Sequence, residues 1–252
     1  MGIDRPADGD DQPDSSLRPE AREPSDADVP FPSQSPDLPD LPDRATYWAE
    51  YKKAVDAEYR SYAFDQGCDR IRETEETIVT PAMERIEAED PDRHLVGLEF
   101  RLKGKDRLTE KVAKATDEQP DLTYKDAFAL VKDAIRYTFQ YPDDKYAEGV
   151  RADCDRLKEA GFECLDRRNS WEEEQYKGIN SRWRVPDNGQ LFEVQFHTEA
   201  SFHAKQETHP AYERLRAPAT PKAEQDELAE FQRQVTARVP VPPGATDVLD
   251  YP

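Results

Sequence analysis

The sequence predicts a domain of the α/β or α+β class, with a mixed sheet of about five strands flanked by helices and preceded by a helical extension. Several segments have apolar residues at every third or fourth position, which is typical of amphipathic helices. Between them lie shorter segments in which apolar and polar residues alternate, the pattern of half-buried strands. The interleaving of the two patterns over residues 91–218 favours a sheet whose strands are separated by helices.

The helical extension begins with residues 45–64, where aromatic and branched side chains recur at helical spacing. These side chains are Trp48, Tyr51, Val55, Tyr59 and Tyr62. A second helix is predicted from Asp69 to Val79. Thr80 then fits the N-cap of a further helix, because Pro81 suits the first helical position. These helices are expected to pack on the main domain.

The elements of the main domain follow in order. A strand over 95–101 leads to a basic helix over 106–115, and Thr123 with Asp126 forms a capping box that opens a short helix. The remaining strands are predicted at 131–141, 162–165, 176–185 and 190–198, and the remaining helices at 144–160, 201–215 and 223–238. Residues 186–189 are a turn signal that joins the last two strands.

Composition sets the domain boundaries. Residues 1–43 hold 9 of the 21 prolines, 12 acidic residues and 3 basic ones. Such a segment cannot offset its ordering entropy by burial, so it is predicted to be a disordered acidic leader. Residues 44–90 are assigned to the helical extension, 91–218 to the core, and 219–252 to a C-terminal helix followed by a loose tail rich in proline.

Charge and cysteine usage exclude several classes of protein. The formal net charge is −20, which argues against broad binding of nucleic acid but not against a small basic nucleotide pocket. No apolar run of about 18 residues is present and no signal-like segment opens the chain, so we expect neither a membrane span nor a secretory signal. Cys68, Cys154 and Cys164 fit neither a disulfide framework nor a zinc site, which favours reduced thiols in a cytoplasmic protein.

Basic residues cluster where the first predicted strand meets the next helix. Arg101, Lys103, Lys105 and Arg107 lie at this junction, and Lys111 follows one helical turn later. A helix N-terminus together with several cations favours an anion such as a polyphosphate, because arginine binds phosphate through two N–H groups and lysine adds a point charge. A solvated basic loop is the alternative interpretation.

A carboxylate and a guanidinium lie close together on the predicted strand 131–141. Asp133 shares a face with Ile135 and Tyr137, and Arg136 follows three residues after Asp133. An ionised carboxylate on such a face needs a cation as its partner, either a metal ion or a basic side chain, because burying it unpaired is costly. A solvated aspartate at the strand end is the alternative.

The last predicted strand has an apolar face and a polar face. Its apolar residues are Phe192, Val194 and Phe196, and they alternate with Glu193, Gln195 and His197. Three polar groups in register on a central strand predict the floor of a cleft. A carboxylate there can bind Mg²⁺ or accept a proton from a hydroxyl group. An exposed polar sheet face is the alternative.

A neighbouring segment offers a surface for a nucleobase. Tyr176, Asn180 and Arg182 share one face of the predicted strand 176–185, and Gly178 introduces a kink between them. An aromatic ring held by such a kink can stack on a base, although a tyrosine at a strand edge is common for structural reasons.

In order and spacing these elements resemble the synthetase domain of the RelA/SpoT family. The family pattern R-x-K-S-x-x-S-I-x-x-K is matched by Arg101, Lys103 and Lys111, with Gly104 and Arg107 at the two serine positions. The patterns D-I-x-G-I-R, G-Y-R-S-Y-H and E-I-Q-I-R-T are matched by residues 133–136, 176–180 and 193–198, and the helix that follows them by His209 and Tyr212. The resemblance covers residues 95–215, and the E-x-Q-x-[RH]-T element is its most specific part.

The resemblance implies the nucleotidyltransferase fold of that family and a Mg²⁺-dependent pyrophosphokinase. Such an enzyme transfers pyrophosphate from ATP to the 3′-hydroxyl of a guanine or adenine nucleotide. By the same resemblance, Arg101 and Arg136 would enclose the ATP adenine, while Lys103, Arg107 and Lys111 would hold the ATP phosphates.

The remaining roles also come from the resemblance. Asp133 and Glu193 would coordinate Mg²⁺, and Glu193 would activate the acceptor hydroxyl as general base. The acceptor nucleotide would be contacted by the other polar residues of the site, with Tyr176 stacking on its base: Tyr176, Asn180, Gln195 and His197.

Several alternatives stay open on the sequence alone. The single-domain form resembles the toxic small alarmone synthetases, so the expected partners are ATP, an acceptor nucleotide and an antitoxin or immunity protein, with no membrane. The acceptor could instead be the 3′ end of tRNA. The chain could also be a non-catalytic nucleotide-binding module of the same fold or an unrelated nucleotidyltransferase.

Overall fold

A computed structural model describes residues 44–251, so the predicted acidic leader lies outside the described residues. The described part of the chain divides into two compact units, residues 44–60 and 61–251. Within the described part of the chain, no helix is long and apolar enough to span a membrane.

The N-terminal helices are more continuous than predicted. They comprise α1 (Arg44–Thr74), a π-helical turn (Glu75–Val79) and α2 (Thr80–Ala88). Thr80 has helical backbone angles, φ −55° and ψ −51°, so its predicted role as an N-cap was wrong. The helix break predicted between residues 64 and 69 was also wrong. Gly67 lies there, and it allows the Phe128 ring to pack against α1, since a Cβ at Gly67 would lie 2.3 Å from that ring.

Five strands form one mixed sheet in the order β1-β2-β5-β4-β3. They are β1 (His94–Leu95), β2 (Arg136–Tyr141), β3 (Glu163–Asn169), β4 (Ile179–Arg184) and β5 (Leu191–Thr198). β2 and β5 are parallel, and the other neighbouring strands are antiparallel. The predicted mixed five-stranded sheet is therefore confirmed, with β5 as its central strand.

The helices that accompany the sheet are α3 (Lys105–Glu118), α4 (Tyr124–Ala129), α5 (Tyr146–Glu159), α6 (Glu199–Arg216) and α7 (Lys222–Thr236). Thr123 caps α4 by accepting a hydrogen bond from the backbone N–H of Asp126, as the sequence predicted. α6 begins directly after β5, where Thr198 and Ser201 form a reciprocal capping box. This junction fixes which face of α6 lies over β5.

One face of the sheet forms the hydrophobic core. Its inward side chains are fully or almost fully buried and include Tyr137, Phe139, Trp183, Phe192, Val194 and Phe196. Phe139 stacks on Phe196 across the parallel pair, and the Tyr146 hydroxyl of α5 donates to the Phe196 carbonyl at 2.9 Å. Each large apolar side chain buried in this way stabilises the fold by roughly 1.5–3 kcal/mol. The opposite face carries the polar side chains of the same strands.

Four predicted strands differ from those observed. The strand predicted over 162–165 extends to Asn169 as β3. In the segment 95–101 only the first residue pairs in a strand, and a 3₁₀ turn occupies Leu98–Phe100 after Gly97, whose φ is +65°. The strand predicted from residue 131 begins at Arg136, so Asp133 lies in a turn and not on the face of Ile135. The strand predicted from residue 176 begins at residue 179, which leaves Tyr176 in the preceding loop.

The C-terminal tail docks on β3, so the prediction of a loose tail was wrong. The Asn169 side-chain amide donates to the carbonyls of Ala245 and Val248, at 2.8 Å and 2.9 Å. Arg167 and Tyr251 form an antiparallel bridge. These hydrogen bonds and the burial of Ala245 and Val248 hold the tail against the edge strand of the sheet.

Candidate functional site

The polar face of the sheet carries side chains in two aligned rows. The first row runs across β2, β5 and β4 through Arg136, Glu193 and Arg182. The second row runs across the same strands through Thr138, Gln195 and Asn180. The register therefore brings the predicted Glu193 and Arg136 side by side on one face.

A cleft of about 660 Å³ lies over the first row. Its polar lining comes from the sheet and from the turn before β2 and includes Asp133, Asp166, Arg168, Asn180, Arg182 and Glu193. Its apolar lining comes from α3, α4 and the segment after α4 and includes Ala115, Leu122, Ala127, Leu130 and Val131. A concave surface with one apolar wall and a few convergent charged groups is typical of a small-molecule site.

Asp133 lines this cleft from the turn before β2. Its Oδ1 is 2.7 Å from Lys111 Nζ, and its Oδ2 is 3.0 Å from Lys103 Nζ. Burial raises the pKa of Asp133, but the hydrogen bonds from Lys111 and Lys103 outweigh it, so this pKa lies below its usual value. Asp133 is thus ionised at neutral pH and holds two of the predicted phosphate-binding lysines, of which Lys111 lines the cleft.

Glu193 lies at the middle of the central strand. Its Oε1 accepts a hydrogen bond of 2.6 Å from the Gln195 amide. Its Oε2 makes no hydrogen bond to residues 44–251. Burial and the nearby Asp133 raise the pKa of Glu193 more than Arg136 and Lys205 lower it, so this pKa lies above that of an ordinary glutamate. A carboxylate with a raised pKa and one uncommitted oxygen is suited to accept a proton.

Lys205 of α6 belongs to the site, and the sequence analysis missed it. Its Nζ donates to Oε1 of Gln195. Burial and Arg136 lower the pKa of Lys205 to about 8, against the opposing effect of Glu193. Ser201 is buried at the start of α6, and Lys205 follows four residues later on the same helical face. That spacing is the signal from which Lys205 could have been found.

The two arginines predicted to enclose adenine are held in different ways. Arg136 is partly buried, and its guanidinium forms no ion pair or hydrogen bond with the described part of the chain. Arg101 donates from Nε to Glu75 Oε1 at 2.8 Å and from Nη1 to the Leu98 carbonyl at 3.1 Å, and its side chain is 42% exposed. Because guanidinium hydrogen bonds lie in the plane of the group, its faces are left for stacking.

Tyr176 is held by a hydrogen-bond network on the polar face, at the end of β5 that α6 covers. Its hydroxyl donates to Asn180 Oδ1 at 2.8 Å and lies 2.9 Å from His197 Nε2. His197 Nδ1 lies 2.8 Å from Ser201 Oγ, so both ring nitrogens have protein partners. Burial lowers the pKa of His197 well below its usual value, which keeps the ring neutral.

This network corrects two predicted ligand contacts. His197 is 0% exposed, so the predicted contact of its ring with the acceptor's phosphates or ribose is not available in the structure. Gln195 is 5% exposed and its amide is used by Glu193 and Lys205. Both residues face the polar side as predicted, but α6 covers that end of β5. Tyr176 and Asn180 remain partly exposed.

The structure also changes the set of residues that can bind phosphate in the cleft. Arg107 is 68% exposed on α3, pairs with Glu110 and Glu213 at 3.5 Å each, and does not line the cleft. Arg182 lines the cleft and pairs with Asp166 of β3. The sequence placed Arg182 on the face of Tyr176 but gave no sign of its partner, because β3 was predicted to end at residue 165.

Asp133 and Glu193 supply the oxygen ligands that a Mg²⁺ ion would need, although both oxygens of Asp133 are paired with lysines in this structure. Mg²⁺ takes oxygen ligands and is commonly held by one or two carboxylates, with water and substrate phosphates completing its coordination. Both carboxylates line the same cleft, as this arrangement requires. A metal site built from the protein alone is not found, because no group of three or more His, Cys, Asp or Glu residues between positions 44 and 251 has the necessary geometry.

Comparison with known proteins gives matches among solved structures only. No protein-family model matches the chain, and no curated protein matches it. The small alarmone synthetase 1 from Bacillus subtilis, bound to its product pppGpp, is 11% identical with a TM-score of 0.41, over 77% of this chain and 92% of that one. The chain is similar in structure to small alarmone synthetases.

Two further structures match over comparable lengths. The type VI effector Tas1, solved in complex with its immunity protein, is 18% identical with a TM-score of 0.45, over 70% of this chain and 95% of that one. The small alarmone synthetase 2 from Bacillus subtilis is 13% identical with a TM-score of 0.45, over 69% of this chain and 91% of that one. The function is inferred below from the site itself.

Proposed function

We propose that the protein is a Mg²⁺-dependent pyrophosphokinase that transfers pyrophosphate from ATP to the 3′-hydroxyl of a guanine or adenine nucleotide. The observation that carries the proposal is the cleft lined by Asp133, Glu193 and Lys111. Lys103 forms an ion pair with the same Asp133, and Arg136 is the strand neighbour of Glu193. A general base and a group of cations at one place are what transfer of a charged phosphoryl group to a hydroxyl requires.

The donor nucleotide is bound by the basic residues of this region. Lys103 and Lys111 already converge on Asp133. The Arg136 guanidinium, whose charge lowers the pKa of the neighbouring Glu193, forms no hydrogen bond or close ion pair with the described residues. The ATP phosphates would add negative charge among these groups, while an exposed face of Arg101 would stack on the adenine. Mg²⁺, held by Asp133 and Glu193, would stabilise charge on the phosphate oxygens.

Glu193 acts as the general base toward the acceptor. Its Oε2 takes the proton of the 3′-hydroxyl as O3′ forms a bond to the β-phosphorus of ATP. The bond between the β-phosphorus and the oxygen that bridges to the α-phosphorus breaks, and AMP leaves with that electron pair. The raised pKa of Glu193 makes it a stronger base than an exposed carboxylate.

The acceptor base stacks on Tyr176. The ring is partly exposed, and the hydrogen bonds of its hydroxyl to Asn180 and His197 fix its orientation. Stacking of a base on an aromatic side chain contributes about 1–3 kcal/mol to binding. Asn180 lines the cleft and is available to the ribose or phosphates. His197 and Gln195 are buried and act through their hydrogen bonds to Tyr176 and Glu193.

Transfer assays with two labels test this proposal. The protein would be incubated with Mg²⁺, an acceptor (AMP, ADP, GDP, GTP or tRNA) and ATP labelled at either the α- or the γ-phosphate. The proposal predicts that γ-label moves to a free nucleotide and that α-label is released as AMP. Transfer of α-label to the acceptor would contradict it, because that result identifies a nucleotidyltransferase that releases pyrophosphate.

The same assay separates the remaining alternatives. γ-Label on tRNA alone would identify a macromolecular acceptor, which the net charge of −20 disfavours. ATP binding without transfer to any acceptor would identify a nucleotide-binding module. An antitoxin or immunity protein remains a prediction from the sequence resemblance.

A further inference from the structure

Two consecutive hydrogen bonds, through the side chain of Gln195, connect Lys205 to Glu193. Lys205 Nζ donates to Oε1 of Gln195, and Gln195 Nε2 donates to Oε1 of Glu193 at 2.6 Å. The Thr138 hydroxyl lies 3.4 Å from the same oxygen of Gln195. No carboxylate of the described residues lies within ion-pair distance of Lys205. The lysine is therefore committed to a buried amide and not to a salt bridge.

Lys205 favours one orientation of the Gln195 amide between these two hydrogen bonds. A glutamine amide has a donating end and an accepting end of nearly the same shape, and its partners decide which way it points. An ammonium group can only donate, so Lys205 requires the accepting end of Gln195. The donating end must then face Glu193. Glu193 as an acceptor and Thr138 as a donor favour the same orientation, but without Lys205 the amide oxygen loses its charged donor and the amide is held less firmly.

We infer that Lys205 is a positioning residue that orients the general base through Gln195. It keeps an N–H group on Oε1 of Glu193, so that Oε2 is the oxygen available to the acceptor hydroxyl. The inference deepens the proposed function and rests on it in one respect, the role of Glu193 as general base.

The position of Lys205 is itself well supported by the fold. The capping box of Thr198 and Ser201 fixes the start of α6 at the end of β5. The Lys205 side chain runs along Phe202, with Nζ 5.4 Å from the centre of that ring. A substitution at position 205 that keeps the length of the side chain should therefore leave the helix in place.

Kinetics of Lys205→Met test the inference. The substitution keeps an unbranched side chain and removes the charge and all donors. We expect kcat to fall about 10- to 100-fold, the usual effect of losing a residue that orients a ligand or base. KM for ATP and the melting temperature should stay near wild type, and Lys205→Arg should recover most of the rate. Lys222→Met, at an exposed lysine of α7, is the control.

Two results of this experiment would overturn the inference. A wild-type kcat in Lys205→Met would show that the lysine has no part in the reaction. A raised KM for ATP with an unchanged kcat would show that Lys205 binds substrate instead of orienting the base.

A double-mutant cycle tests whether Lys205 acts through Gln195. Gln195→Met removes the amide with little change in size. If the amide is the link, the double variant should have the kcat of Gln195→Met alone, because the second substitution has nothing left to disturb. A loss equal to the product of the two single losses would mean that Lys205 acts independently, and the inference would be wrong.

The side-chain amide of Gln195 gives a readout that does not need turnover. Its NH₂ resonances in a ¹⁵N spectrum are identified by their loss in Gln195→Met. They should shift in Lys205→Met and stay unchanged in Lys222→Met. Unchanged resonances in Lys205→Met would refute the inference whether or not pyrophosphate is transferred. If the resonances shift in Lys205→Met but the wild-type protein transfers no pyrophosphate, the proposed function alone would be refuted.

Discussion

Replacing Glu75 with glutamine tests how the N-terminal helices support the site. Glu75 lies in the π-helical turn, is 1% exposed, and receives three hydrogen bonds on Oε1. The donors are Thr80 at 2.5 Å, Tyr137 at 2.7 Å and Arg101 at 2.8 Å. Its Oε2 is buried without a partner among the described atoms. A glutamine can offer its amide oxygen to the same three donors, so the substitution mainly removes the charge.

The expected cost follows from these contacts. A hydrogen bond to a charged group stabilises the folded state by about 1.5–3 kcal/mol, and a hydrogen bond between neutral groups by about 0.5–1.5 kcal/mol. Each of the hydrogen bonds from the Thr80 and Tyr137 hydroxyls should therefore weaken by about 1 kcal/mol when the charge is removed. The Arg101 bond adds a few tenths more, because that side chain is 42% exposed and solvent screens it. We therefore expect Glu75→Gln to lower the free energy of unfolding by about 2–3 kcal/mol at pH 7.

The stabilisation by ionised Glu75 depends on pH, and the direction of its pKa shift gives the sign of that dependence. Burial raises the pKa of Glu75, but the hydrogen bonds from Thr80, Tyr137 and Arg101 lower it further, so the folded-state pKa lies below the unfolded one. The stabilisation is therefore complete above the unfolded pKa of about 4.3 and is lost as pH falls through the folded pKa.

Urea unfolding of both proteins from pH 7 to pH 3.5 should show the difference shrinking toward the acid end. Glu76→Gln, at the exposed neighbouring carboxylate, is the control. Equal stabilities of wild type and Glu75→Gln at pH 7, or a difference that does not change with pH, would refute the reasoning.

Three further predictions concern other parts of the site and fold. Gly178→Ala should lower the free energy of unfolding by about 2–4 kcal/mol and raise KM for the acceptor, because its φ is +152° and a Cβ would lie 2.7 Å from the His197 ring. Gly189→Ala, where a Cβ meets nothing, is the control. Equal losses in urea unfolding would contradict this prediction. Asn169→Ala should lower the free energy of unfolding by about 1–2 kcal/mol and speed proteolysis of the C-terminal tail. An unchanged cleavage rate would mean that the hydrogen bonds of Asn169 do not hold the tail. Arg136→Met should weaken ATP binding about tenfold, a loss of roughly 1.4 kcal/mol in calorimetry, with no change in melting temperature, since the guanidinium has no described protein partner.

Local patterns in the sequence were sufficient to predict the sheet and the polar row on β5. The alternation of Phe192, Val194 and Phe196 with polar residues assigns two faces because side chains of a strand point alternately to opposite sides. The parallel pairing with β2 then places Arg136 beside Glu193.

The sequence could not predict what covers the polar face. Glu193 is open to the cleft, while Gln195 and His197, on the same face, lie beneath α6. Their predicted ligand contacts failed because burial depends on the packing of a helix over the strand, and strand periodicity carries no information about that. The role of Lys205 was missed for the same reason.

Contacts between distant residues account for the other differences. Arg101 is anchored by Glu75, 26 residues earlier, and the sequence between them gives no sign of the pairing. The tail was predicted to be loose from its prolines, yet Asn169 and the edge of β3 provide hydrogen bonds for it. Neither contact follows from local composition, because both depend on the completed sheet.

The most direct test of the proposed reaction is to compare turnover and ATP binding in Glu193→Gln. The glutamine keeps the size of the side chain and its hydrogen bond to the neighbouring amide but removes the charge that Mg²⁺ binding and proton abstraction require. Glu199→Gln, at an exposed carboxylate six residues later, is the control.

We predict that pyrophosphate transfer by Glu193→Gln falls by more than the roughly 10²–10⁴-fold typical of losing a general base, because a metal ligand is lost as well. The melting temperature should hardly change. Calorimetric titration should show that ATP still binds, since Lys103, Lys111 and Arg136 are intact. Wild-type transfer by Glu193→Gln, measured beside an equally active Glu199→Gln, would contradict the assignment of Glu193 as the catalytic base.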